Sequence, residues 1–223
     1  MDLIKITCEL KFSERIRLLS GYEALYKDIR GKAPEHPEQW IIPGLKIDDS
    51  EKKLAWLVDP ARSVIDIEQP SDIAYCKDYI IQFFSAVHKR IGIPSIARYG
   101  LRSTWIKEYR ASFQDFLQLF KQKLYTNSKL SKRANDVGTV MEYTLSTGKK
   151  LTLTAGPMES KQLKQEFLHF EAQSIPDIFL YADIDMGDMT TKGFSAKYLG
   201  EFVSTAISEG QKLASEMSDT LGV

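Results

Sequence analysis

No stretch of this sequence approaches the roughly 20 consecutive apolar residues that a membrane-spanning helix needs. Charge of one sign is not in excess either. Thirty lysines and arginines face thirty acids, which argues against a chain wholly given over to nucleic acid or an anionic membrane. Cysteine is scarce: Cys8 and Cys76 lie far apart, each within an apolar pattern, and read as buried free thiols in a reducing compartment. The opening "MDLIKITCELKF" lacks the basic start and unbroken apolar core of a secretory leader, so the expected location is cytoplasmic. Of the three histidines, His36, His88 and His169, none is spaced with a second metal ligand. There is no glycine-rich phosphate loop, no lysine-serine or lysine-threonine P-loop ending and no nucleophile elbow. No cofactor is expected.

What is present is a well-patterned globular chain of 223 residues, long enough to bury a sizeable core. In "IKITCELKF", Ile4, Ile6, Cys8, Leu10 and Phe12 share one face, and Lys5, Thr7, Glu9 and Lys11 the other, which describes a half-buried strand. Ser13 is placed to cap a helix carrying Ile16, Leu19, Tyr22, Tyr26 and Ile29, stopped at Gly31. Three strands follow. "WIIPGLKI" is an edge or bulged strand because of Pro43, and "LAWLV" and "SVIDIE" come after it. Ser71 or Asp72 then caps a helix whose stripe runs from Ile73 through Phe83 and Phe84 to Ile91, with Gly92 as its stop.

The second half repeats this order. A long strand runs through "SIARYGLRSTWI", a helix through "SFQDFLQLFKQKLY", and a hairpin turns at Thr147-Gly148. The segment 156–176 is ambiguous. The strand "IFLYADIDM" and a helix from about Ala196 to Met217 complete the chain. Both halves therefore read β-α-β-β-β-α, an architectural repeat without sequence identity. The expected fold class is α+β: a curved antiparallel sheet with helices packed on one face, one domain of two lobes, about 1–92 and 93–223. Saddle-like and helix-grip folds share this order of elements, an analogy of fold alone.

One layer of this pattern is unusual. On the strand after Pro94, Ala97, Tyr99, Leu101 and Trp105 face the helices, which turns Arg98, Gly100, Arg102 and Thr104 to the other side. Near the end of the chain, Leu180, Ala182, Ile184 and Met186 make one face while Tyr181, Asp183 and Asp185 make the other. Lys5 and Lys11 with Asp66 and Glu68 echo this in the first half. Cross-strand pairing of these charges is the leading expectation, since an arginine fork can grip a carboxylate through two hydrogen bonds. Gly100 would permit a bulge or a close approach. The alternative is a polar cleft in which Arg98 and Arg102, with Gly100, Thr104, Asp183 and Asp185 around them, hold a small anionic or phosphorylated ligand. Pairing satisfies both guanidinium groups, whereas a ligand site leaves one pointing into an open concavity.

The strand pattern R-x-G-L-R (Arg98, Gly100, Leu101, Arg102), followed far downstream by D-I-D (Asp183, Ile184, Asp185), resembles a sporadically distributed family of uncharacterised bacterial proteins. Where that family continues with an aromatic residue and then asparagine, this chain has Ser103, Thr104 and Trp105. The resemblance implies the fold and carries no activity, cofactor or partner.

Asp183, Asp185 and Asp188 in "DIDMGD" raise a metal-dependent phosphoryl-transfer or hydrolase reading. Against it, a D-x-D strand of that kind opens a parallel βαβ domain, and only 38 residues follow Asp185 here. Lys121, Lys123, Lys129, Lys132 and Arg133 form a basic stretch without an acid, read as a solvated helix end in preference to a nucleic-acid patch. The expectation is thus a soluble binding or regulatory module, not an enzyme. It acts through a protein partner or self-association, with a small anionic ligand as the alternative.

Overall fold

The computed structural model describes residues 1–14, 25, 27–29, 44–93, 95–125, 129, 133–172, 174–189 and 193–223. Most of the helix expected after Ser13, the loop that follows it and Pro43 lie outside the described residues. In chain order the elements are β1 (Asp2–Phe12), β2 (Leu45–Asp49), β3 (Leu54–Val58), β4 (Arg62–Glu68), α1 (Ile73–Ile91), β5 (Ile96–Glu108), α2 (Phe113–Leu124), β6 (Thr139–Thr144), β7 (Lys150–Glu159), α3 (Ser160–Glu166), β8 (Ile178–Asp188) and α4 (Ala196–Leu221).

Period-two alternation makes one face of each strand apolar, and the strands join edge to edge in a single antiparallel sheet of order β2-β3-β4-β1-β5-β8-β7-β6. The order reads outward in the same way from the central β1–β5 pair. β4, β3 and β2 extend one half as β8, β7 and β6 extend the other. Within each half the registers also correspond. Lys5 and Thr7 stand opposite Glu68 and Asp66, and Arg102 and Thr104 stand opposite Asp185 and Asp183.

The three long helices cover one face. Asp72 caps α1 through the Ala74 amide, and Gly92 ends it in the left-handed region at φ 75°. Ser112 and Asp115 form a reciprocal capping box at α2. Ser195 caps α4, which continues past the expected Met217 to Leu221 and stops at Gly222. The main core lies between these helices and the sheet, with Ile6, Leu10, Trp56, Phe84, Leu101, Phe116, Ile184 and Phe202 among its members. Ile73, expected in the buried stripe of α1, is 39% exposed because it sits at the first helical position, beyond the sheet.

Two departures shape the opposite face. A bulge between Leu3 and Lys5 shifts the pairing of β1 with β5. Ile4, expected beside Ile6, instead joins a small second cluster with Ile106, Met158, Leu163, Phe179 and Tyr181. In segment 156–176, ambiguous from sequence, β7 continues to Glu159 and Ser160–Glu166 form α3, after which residues 167–170 lie over the sheet as a strap bonded to Lys5 and Glu68.

Candidate functional site

The face that the long helices leave uncovered carries the charged layer. Arg98 begins it. Its Nη2 donates to both carboxylate oxygens of Asp185 at 2.9 Å, and its Nη1 donates to Glu9 at 3.1 Å. To reach them the side chain lies flat over Gly100 and Gly187, which are cross-strand partners; a Cβ at either position would meet the guanidinium group. The glycine between the arginines therefore makes room for a side chain lying along the sheet, not for a bulge or an approaching backbone. Glu9 also accepts from Arg62 at 3.1 Å, so Arg98 is held within a network.

Arg102 behaves differently. Its Nε donates to Asp183 at 2.6 Å, and Asp183 also accepts from the Thr104 hydroxyl at 2.9 Å. Its side chain remains 50% exposed, and among the described residues no carboxylate engages its two Nη groups. The guanidinium lies 5.9 Å from the centroid of the Phe167 ring. Asp183, with a side chain only 6% exposed, is raised above the ordinary carboxylate range by burial, against the pull of Arg102 and Thr104. Burial, followed by the neighbouring Asp183 charge, pushes the Tyr181 phenol up to about 12. Of the two anticipated outcomes, Arg98 shows the paired one, while Arg102 is paired on one side and open on the other.

The first half repeats the arrangement. Lys5 donates to Glu68 at 3.1 Å and to the Phe167 carbonyl at 2.9 Å, and Thr7 donates to Asp66. Glu68 is fully buried and also accepts from the backbone amides of His169 and Phe170 at 2.7 and 3.0 Å. That carboxylate anchors the strap, which extends as far as a 3.2 Å contact between His169 and Asp48 on β2. Phe167 and Leu168 of the strap, and Ile175 after it, pack on the second cluster.

Two adjoining pockets result. The larger, about 310 Å³, is lined by Lys5, Thr7, Arg102, Thr104, Glu166 and Phe167. The smaller, about 190 Å³, lies around Glu9, Arg62, Arg98, Gly100 and Asp185, and Thr7 and Arg102 border both. Arg102 and Thr104 of this lining are among the expected ligand residues, whereas Lys5, Thr7, Glu166 and Phe167 were not anticipated as such. The signal that pointed to the last two is slight: an apolar pair, Phe167-Leu168, directly after the charged run "KQLKQE".

The acidic triplet does not converge. Asp183 and Asp185 lie on the open face and are held by the arginines, whereas Asp188 faces the helices and accepts a hydrogen bond from the Tyr198 hydroxyl. Alternation along β8 makes this unavoidable, because residues an odd number apart point to opposite sides. No cluster of three or more histidine, cysteine or acidic residues fit to hold a metal occurs among the described residues. Both cysteines are buried; burial raises the Cys8 thiol well above its usual range and pushes Cys76 up to about 12, which leaves neither a ready thiolate. Within the basic stretch, Lys121 is buried and donates to the Ala134 carbonyl at 2.6 Å, so it is not part of a cationic surface. His88, in the last turn of α1, stacks on Phe194 at 4.8 Å.

No helix among the described residues is long and apolar enough to cross a membrane. No family model matches the chain, and no curated protein matches it. Among solved structures it is similar to the TBP of Methanococcus jannaschii, at 12% identity and a TM-score of 0.33, over 99% of this chain and 97% of that one.

Proposed function

We propose that the protein is a binding or regulatory module, not a catalyst, and that it takes a small polar ligand on the open face of its sheet at Arg102. The observation that carries this reading is the larger pocket: a concavity of about 310 Å³ over the two central strands, with a half-exposed guanidinium group on its lining. That size suits a small metabolite, and sites of this kind combine an apolar wall with a few placed polar groups. Phe167 supplies the wall.

The carboxylates of the face support binding over catalysis. Asp183 and Asp185 are engaged by arginines, and Asp188 lies on the far side of the sheet. Arg98, the other arginine considered for a ligand, is engaged with Asp185 and Glu9, so the reading centres on Arg102. A protein partner or a second copy is read as approaching the same face. Two buried free thiols fit a cytoplasmic setting.

A thermal-shift screen of the full chain against Mg²⁺, Mn²⁺, nucleotides, small anions and amino acids tests this. A ligand at 100 times its dissociation constant stabilises by about 2.7 kcal/mol, or roughly 5–10 °C for a chain of this size. The expected result is a shift by a small polar compound that disappears in Arg102→Gln. Stabilisation by Mg²⁺ that disappears in Asp185→Asn would replace this reading with the metal-dependent one.

A further inference from the structure

The larger pocket straddles the junction of the two halves. Lys5 and Thr7 of β1 and Arg102 and Thr104 of β5 occupy corresponding positions in the two registers. Glu166 and Phe167, from the end of α3 and the start of the strap, break that correspondence on one side. The class of ligand follows from where the protons of these groups already go.

The Thr7 hydroxyl donates to Asp66, and the Thr104 hydroxyl to Asp183. Neither hydroxyl proton is therefore free for a ligand, and each threonine has only lone pairs to offer, Thr7 from a half-buried position and Thr104 from a buried one. Lys5 is occupied by Glu68 and the Phe167 carbonyl, with Asp66 at 3.9 Å. Two charged groups on the lining keep capacity for an opposite charge, although Arg102 already meets Asp183 through its Nε and the Tyr181 phenol through its guanidinium group. The Nη groups of Arg102 are donors with no carboxylate partner, and the exposed Glu166 carboxylate forms no ion pair among the described residues.

A simple anion is a poor match. It would gain the Arg102 fork but lie against two lone-pair-bearing oxygens and near the carboxylates of Asp66, Asp183 and Glu166. A simple cation would find those acceptors but meet Arg102. A ligand with both charges uses every unengaged group: its carboxylate on the Arg102 fork, its ammonium on the threonine oxygens and Glu166, its apolar portion along Phe167. We propose that this pocket binds a small zwitterion carrying one carboxylate and one ammonium group, a free α-amino acid being the simplest case. This rests on the small-ligand reading above and names its class.

The test is a titration of the full chain with each of the twenty amino acids, followed by amide NMR and calorimetry. The tightest binder is then compared with its analogue lacking the amino group and its analogue lacking the carboxyl group. The expected result is a preference of about tenfold or more over both analogues, with amide shifts at Thr7 and Thr104. Arg102→Gln and Glu166→Gln should each weaken binding by about tenfold, while Lys107→Gln, exposed on the same strand outside the pocket, leaves it unchanged. Glu166 is exposed, so its variant stays interpretable even if Arg102→Gln disturbs folding. Equal affinity for either analogue, or no amino acid moving those amides, overturns the proposal. If in that case another small molecule still binds in an Arg102-dependent way, only the ligand class falls; if none does, the small-ligand reading falls with it.

Discussion

An alanine at position 100 would place its Cβ 2.8 Å from Arg98 Cζ, inside any tolerated contact. The obstructing atoms are the far end of a flexible side chain, so the strand can persist while the guanidinium group lifts away. What is lost is the grip on Asp185 and Glu9. Asp185 is 45% exposed and rehydrates, and Glu9 keeps Arg62, so the loss is well below the 3–5 kcal/mol of a stranded buried charge. Gly100→Ala should therefore cost about 1–2 kcal/mol. In an Arg98→Ala background the same change should cost nothing or stabilise slightly, because alanine is preferred to glycine within a strand. Urea denaturation of the four proteins in this cycle checks it, and purely additive costs would show that the glycine serves some other purpose.

Among the elements, β5 and β8 were legible in the sequence because period-two alternation separates Tyr99, Leu101 and Trp105 from Arg98 and Arg102 without knowledge of the fold. The strap was not. Its decisive bonds run from the His169 and Phe170 amides to Glu68, about a hundred residues away, and backbone donors leave no mark on a residue pattern. The shift of Ile4 was equally hidden, since a bulge is a property of pairing between two strands and not of either one alone. Charge complementarity was readable as a type, basic early strand and acidic late strand, whereas the division between a fully engaged Arg98 and a half-open Arg102 depends on which carboxylate each can reach. The strap's dependence on Glu68 is open to measurement. Glu68→Gln keeps one acceptor oxygen but sets an amide NH₂ against Lys5 or one of the strap amides. A loss of about 1–3 kcal/mol follows from the unsatisfied donor. Hydrogen exchange should accelerate from Phe167 to Glu171 while the β1–β5 pairing retains its protection. Unchanged exchange in the strap would mean that Phe167 and Leu168 packing alone holds it down.

At the scale of the molecule, the two halves meet along the pairing of β1 with β5, which runs from Asp2 opposite Ile106 to Phe12 opposite Ile96. The apolar core is also continuous across that junction, joining Ile6, Trp56 and Phe84 of the first half to Leu101, Phe202 and Ala206 of the second. Separating the halves would uncover a long central strand edge on each side together with the core behind it, and exposed edges of that length favour association with other chains. The halves are therefore expected to unfold together, although each has four strands of its own. Tryptophan fluorescence samples Trp40 and Trp56 of the first half and Trp105 at the junction, and exchange protection in β7 and β8 samples the second. Their denaturation midpoints should coincide in one transition, and fragments 1–92 and 93–223 should each fail to give a cooperative melt alone. Two separated transitions would mean that the halves are independent domains. The pocket between Lys5 and Arg102 would then sit at a joint able to open, and ligand affinity would depend on the coupling of the halves as well as on the side chains that line it.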